Sequence, residues 1–127
     1  MKPFIFTDNK HSFQHEGTLL LEVPFDISDK DNLLFWFAAA LNFPKYFGWN
    51  WDALSNCLRD LSWIDEKRVV IFHSDVPLKS NLTDCRVYLG ILENAVEDWH
   101  SDASHELLAA FCPACEPIVS RVLGNQG

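Results

Sequence analysis

A chain of 127 residues with 48% hydrophobic side chains is sized for one folded domain and has enough apolar material for a core, which sets disorder aside. Eighteen acidic residues against ten basic ones leave a formal charge of −8, which argues against direct nucleic-acid binding, because that rests on Lys and Arg neutralising phosphates. The same charge favours encounter with basic proteins, although acidity also serves plain solubility.

Residues 3–7 read as a short strand, and residues 8–17, with Asp8-Asn9-Lys10 and Gly17, as a turn or loop. This opening segment has three readings: an added strand, a lid or a dimer contact. Thr18 to Val23 is a compact apolar run ahead of Pro24, the pattern of a buried strand. A helix follows over about Asp31–Leu41, with Ser28 or Asp29 able to cap it and Pro44 to stop it. Leu33, Leu34, Phe37, Ala40 and Leu41 recur at helical spacing and are expected inside.

The next stretch, Asn42 to Trp49, reads as a loop in which Gly48 suits a backbone position of positive φ. Asn50 can cap a second helix running to about Leu61. Its two faces are chemically distinct: Trp51, Leu54, Cys57, Leu58 and Leu61 share one, and Asp52, Ser55, Asn56 and Arg59 share the other. Arg68–His73 is a second buried strand, and Pro77 interrupts the loop behind it. Asn81–Trp99 is a long helix with Cys85, Tyr88, Leu89, Leu92, Ala95, Val96 and Trp99 on its inner stripe. Glu106–Phe111 is another strand and Glu116–Leu123 a short helix. The order β-β-α-α-β-α-β-α implies a parallel or mostly parallel sheet with helical cover.

The start of the chain, Met1 to Phe6, lacks the apolar stretch of a signal peptide. The longest apolar run, Leu33–Leu41, is about half of the roughly 18 residues that span a bilayer, so a soluble, cytoplasmic protein with no membrane contact is expected. Four cysteines in that setting are expected as thiols. Cys112-Pro113-Ala114-Cys115 between a strand and a helix imitates a thioredoxin-type motif, but only 12 residues follow it. Alternatives are a zinc site made of Cys112, Cys115 and two of His100, His105 or another residue, or simply two thiols in a turn. No nucleophile motif and no phosphate-binding glycine loop is present, so neither catalysis nor a cofactor is expected.

The segment Phe43-Pro44-Lys45-Tyr46-Phe47-Gly48-Trp49-Asn50-Trp51-Asp52-Ala53-Leu54-Ser55-Asn56-Cys57-Leu58 resembles the barstar family, inhibitors of barnase-like ribonucleases. That family's pattern is Pro, an aromatic pair, Gly, any residue, Asn, any residue, Asp-Ala-Leu, then a downstream Cys-Leu, and this chain follows it without a gap. The resemblance implies a small barstar-like α/β fold, a three-stranded parallel sheet packed with helices, over residues 18–111. Residues 1–17 would add a strand and 112–127 a C-terminal extension within a single domain.

It also implies a function. The loop and the exposed face of the second helix would plug the active site of a basic ribonuclease or related toxin nuclease, a carboxylate standing in for substrate phosphate. Tyr46, Gly48, Asn50 and Asp52 match family positions. At two positions the chain departs: Asn56 stands where the family carries its principal phosphate-mimicking Asp, and Ser55 where it carries an aromatic. Asn cannot make the charge-assisted bonds of a carboxylate, and Arg59 reduces the acidity of the same face. Trp49 and Trp63 are candidate compensating anchors. The partner-binding set is therefore Tyr46, Gly48, Trp49, Asn50, Asp52, Ser55, Asn56, Arg59 and Trp63, with no catalytic or metal-ligating residue. A barstar-like module for a non-nuclease partner is the alternative that Asn56 and Ser55 leave open. Asp52 has a plainer reading as a first-turn helix charge, and Asn50 as a cap.

Overall fold

The computed structural model describes residues 4–100 and 105–124. Along them run β1 (Phe4–Phe6), β2 (Thr18–Val23), α1 (Lys30–Ala40), α2 (Trp51–Asp60), β3 (Arg68–His73), α3 (Leu82–His100), β4 (Glu106–Phe111) and α4 (Glu116–Gly124). The strands form one sheet in the order β1-β4-β3-β2, parallel at every junction. β3 is central, paired from Arg68↔Glu106 to His73↔Phe111 on one side and from Thr18↔Arg68 to Val23↔His73 on the other. Buried on both faces, it is an unbroken run of bulky residues with no polar alternation.

The first strand joins the sheet edge beside β4, with Phe4 opposite Ala109 and Phe6 opposite Phe111. Of the readings open for the opening segment, the added strand is seen, over Phe4–Phe6. The turn behind it is not idle. A 3-10 turn over Lys10–Phe13 places Phe13 on the sheet face away from the helices, against Val70, Phe72 and Ala110. Lys10 pairs with Glu22 of β2 at 2.7 Å and fastens that turn.

All four helices cover the opposite face. α1 buries Leu33, Leu34 and Phe37, and its cap is Asp29, whose carboxylate accepts the Asn32 N–H at 2.8 Å. The helix stops at Ala40, short of Pro44, as Asn42 turns the chain at φ +51°. α3 delivers its whole predicted stripe, from Cys85 to Trp99, to the core.

Among the described residues, the His73 ring and the Tyr88 hydroxyl are sealed inside together. His73 is fully buried at the end of β3, stacked on Phe111 with ring centroids 4.0 Å apart. A carbonyl can only accept, so Nδ1 carries the proton and donates to the Ala110 oxygen at 2.9 Å. Nε2 is then the acceptor for the Tyr88 hydroxyl at 2.7 Å. With every polar atom satisfied, the neutral ring is comfortable and the cation is not. Burial pushes the His73 pKa down from 6.5 to about 4, against a smaller opposing effect of the Ala110 bond.

A group whose folded pKa is depressed contributes stability that is intact above its unfolded value and lost as pH falls through the folded one. The unfolding free energy is therefore expected to drop by about 3 kcal/mol between pH 6.5 and pH 4 on account of His73 alone. Urea unfolding across that window checks this. His73→Phe should start less stable, because Tyr88 loses its acceptor, and show a flatter profile.

Candidate functional site

The loop of residues 42–49 and the first turns of α2 are built on aromatic rings. Trp63, in the segment after α2, donates its indole N–H to the Leu41 carbonyl at 2.8 Å. Leu41 is the C-cap of α1, so the bond satisfies a helix-end carbonyl that the helix itself cannot. Trp63 meets Phe43 edge-on at 6.0 Å, Phe43 meets Phe47 at 4.8 Å, and Phe47 meets Trp49 at 4.9 Å. Phe47 is 5% exposed and acts as the hub. On the outside, Tyr46 is 76% and Trp49 53% exposed. The aromatic pair thus splits, with one ring inward and one outward.

The expectation for Gly48 fails in its detail. Its φ is not positive, and the residue that turns left-handed is Trp49, at φ +58°. An L-residue in that region is strained by about 1–2 kcal/mol and persists only where its surroundings hold it. Here the Phe47 edge contact and the cap that follows do so. A Cβ on Gly48 would meet the Ala53 Cβ at 3.6 Å and the Asn50 Nδ2 at 3.7 Å, both ordinary contacts.

Asn50 caps α2, its side-chain oxygen accepting the Ala53 N–H at 2.7 Å. Asp52 follows in the first turn, where the helix dipole favours negative charge. Leu54, Cys57 and Leu58 are buried beneath. The far end of the helix is held by two groups. Leu61 takes a left-handed C-cap at φ +49° with its N–H on the Cys57 carbonyl. Trp99 of α3 donates its indole N–H to the Leu58 carbonyl at 2.8 Å. Both ends of α2 are thus fixed, and its outer face is presented by a rigid body.

On that face a shallow concavity of about 320 Å³ is lined by Tyr46, Phe47, Gly48, Asn50, Asp52, Ala53, Asn56 and Cys57. Five of the sequence-derived residues, Tyr46, Gly48, Asn50, Asp52 and Asn56, meet there. The other four do not line it. Ser55 is half-buried on the flank of α2. Arg59 is exposed and reaches Asp98 of α3 and the Asn56 side-chain oxygen, each at 3.4 Å. Trp49 turns towards α1, where its ring stacks with Phe35 at 6.5 Å. Trp63 is half-buried with its N–H committed to Leu41, so it supports the loop from behind. Phe35, 67% exposed on α1, was not singled out by periodicity, since one apolar residue off the stripe carries no helical signal.

Cys112 and Cys115 stand apart from this surface. All four cysteines are free thiols. The Cys112 and Cys115 sulfurs lie 3.3 Å apart, with Cys112 donating to the Ser74 carbonyl at 3.2 Å. Burial, then the hydrogen bond to Cys112, push the Cys115 thiol up to about 12, the direction opposite to that of an activated redox cysteine. β4, of 6 residues, separates His105 from Cys112 by roughly 20 Å, beyond any shared metal. Among the described residues no group of three His, Cys, Asp or Glu side chains is placed to hold a metal ion. Among them, too, no helix is long and apolar enough to cross a membrane.

A family model described as barstar, the barnase inhibitor, matches residues 23–111, well over half of the chain. The chain belongs to the barstar family. Its members are inhibitors of ribonucleases, and within that family this chain carries a fourth, N-terminal parallel strand and a C-terminal helix. Comparison with curated proteins and with solved structures gave no significant match.

The backbone at Gly48 yields a sharp contrast with Gly17, which sits at φ +81°. Gly48→Ala is expected to be neutral or to stabilise by about 0.5 kcal/mol, through the stiffer unfolded chain, whereas Gly17→Ala should destabilise by about 1 kcal/mol or more. Denaturant midpoints of the two variants decide it.

Proposed function

We propose that this barstar-family chain is an inhibitor or immunity protein, not an enzyme, that occludes the active site of a basic ribonuclease or related toxin nuclease. The carrying observation is the convergence of Tyr46, Asp52 and Asn56 around one concavity on a helix fixed at both ends. Such a helix loses little freedom on binding. A nuclease cleft holds phosphate with cationic groups. Asp52, in the first turn of α2, offers it a carboxylate, and the outward ring of Tyr46 offers a flat apolar surface of the kind that a base would occupy. Trp49, Gly48, Asn50, Ser55 and Arg59 complete the contact surface, with Trp63 as its internal brace. The net charge of −8 steers a basic partner to it and repels RNA itself.

In this reading the protein works in the cytoplasm as one domain, needs no cofactor, and shields its own cell as the antitoxin half of a toxin–antitoxin pair. A second reading, a barstar-like module for a partner that is not a nuclease, draws on Asn56 and Ser55. A neutral amide forms weaker bonds to Arg and Lys than a carboxylate does. Here it is also engaged by Arg59.

Titration calorimetry with barnase tests the first reading for that enzyme. On the nuclease reading wild type binds, and Tyr46→Ala and Asp52→Ala each weaken binding about tenfold or more, with unfolding midpoints preserved. Unchanged affinity in both variants, or no binding by the wild type, removes that reading for barnase.

Asn56→Asp carries a separate expectation. Restoring a carboxylate should tighten barnase binding by about tenfold, less whatever Arg59 retains for itself. No change would mean that position 56 lies outside the contact.

A further inference from the structure

The exposed surface does not end at α2. Phe35 projects from α1 at 67% exposure although its neighbours Leu33, Leu34 and Phe37 are buried. Its ring and that of Trp49 lie 6.5 Å apart and within 24° of parallel. Trp49 takes part only by adopting a left-handed backbone at φ +58°, and Phe47 backs it edge-on at 4.9 Å. Asp31 lies one helical turn before Phe35, on the same strip of α1, and is exposed. Among the described residues it forms no ion pair, whereas neighbouring Lys30 sits over the Trp51 ring at 6.0 Å. Strain, paired aromatic faces and an uncommitted carboxylate thus occur together on one patch of a strongly acidic chain.

We propose that Phe35, Trp49 and Asp31 form an acceptor for an arginine side chain of the basic partner, so that the interface runs from the concavity across Trp49 onto α1. It rests on the reading that this end of the molecule is the binding face. The chemistry selects arginine. A guanidinium is flat, weakly hydrated and rich in donors, so it stacks on the rings while bonding to the Asp31 carboxylate. An ammonium keeps its water and gains only the charge. The site adds apolar and charged contacts away from Asn56, where the surface lacks a carboxylate.

Oligoarginine and oligolysine peptides of equal length, titrated into the full chain by two-dimensional NMR, test this without any nuclease. The Trp49 indole N–H is assigned from its disappearance in Trp49→Phe. The expected result is a saturable shift at Trp49 and at the Phe35 amide, with arginine binding about two- to fivefold tighter than lysine. Phe35→Ala should erase that preference, and Asp31→Asn should weaken both peptides. Both residues are exposed, so the fold tolerates either change, as thermal unfolding would verify.

Equal binding of the two peptides, shifts that avoid Trp49, or self-association of the free chain abolished by Phe35→Ala would each overturn the proposal, the last by making a second copy the occupant. Barnase titration in parallel separates it from the nuclease reading. Arginine selectivity without barnase binding removes barnase as the partner and leaves the acceptor. Barnase binding that is sensitive to Tyr46→Ala, with no arginine selectivity, does the reverse.

Discussion

The hydrogen bond from the Trp63 indole to the Leu41 carbonyl is the constraint on which the exposed end of this molecule depends. It ties the segment after α2 to the end of α1 and so closes a frame around residues 42–49. Inside that frame, rings meet in succession from Trp63 through Phe43 and Phe47 to Trp49, and on to Phe35. A loop with little hydrogen bonding of its own is ordinarily mobile. This one is underpinned by aromatic contacts that resist displacement because each ring packs on the next. That support is what allows Trp49 to stay in a strained conformation and Tyr46 to stand out from the surface without support from the core.

The electrostatics of the same region are uneven. Asp52 lies where the α2 dipole favours it, so its charge adds to the fold while remaining exposed. Four residues on stands Asn56, a neutral amide, and Arg59 spans from its side-chain oxygen to Asp98, 3.4 Å from each. An exposed pair of that length contributes little stability. Its consequence is local: the middle of α2 presents a dipolar surface, not an anionic one, and the negative charge of this face is concentrated at the helix start.

Much of the architecture is legible in the residues, for a specific reason. β2, β3 and β4 are short, mainly apolar runs bounded by Pro24, Ser74 and Cys112, and their alternation with helical segments is the pattern of a parallel sheet. Asn50 and Asp29 cap as their side chains imply. What escapes sequence reading depends on partners distant along the chain. Nothing near Trp63 signals that its N–H finds Leu41, 22 residues earlier, and nothing near His73 points to Tyr88 and Ala110. The left-handed turn was legible as a need of the loop but fell one residue late. Glycine tolerates positive φ, yet tertiary contacts can impose it on a tryptophan, and here the ring contacts of Trp49 outweigh the backbone preference. Phe35 escaped because its importance lies in a neighbour from another element.

The division between inner and outer residues also bears on how such a scaffold changes partner. Leu54, Cys57, Leu58 and Trp99 hold α2 from beneath and do not reach the concavity's rim, except for one edge of Cys57. Substitutions at Ser55 and Asn56 are therefore expected to leave the fold intact, since neither is buried. Specificity is a difference between affinities, and it moves when a charged contact is withdrawn in one place and apolar area is offered in another. An exposed amide on α2, alongside two outward aromatic rings where the loop meets α1, fits that pattern. The fold presents a helix and a loop rigidly, and the side chains around their rim can differ without disturbing what holds them.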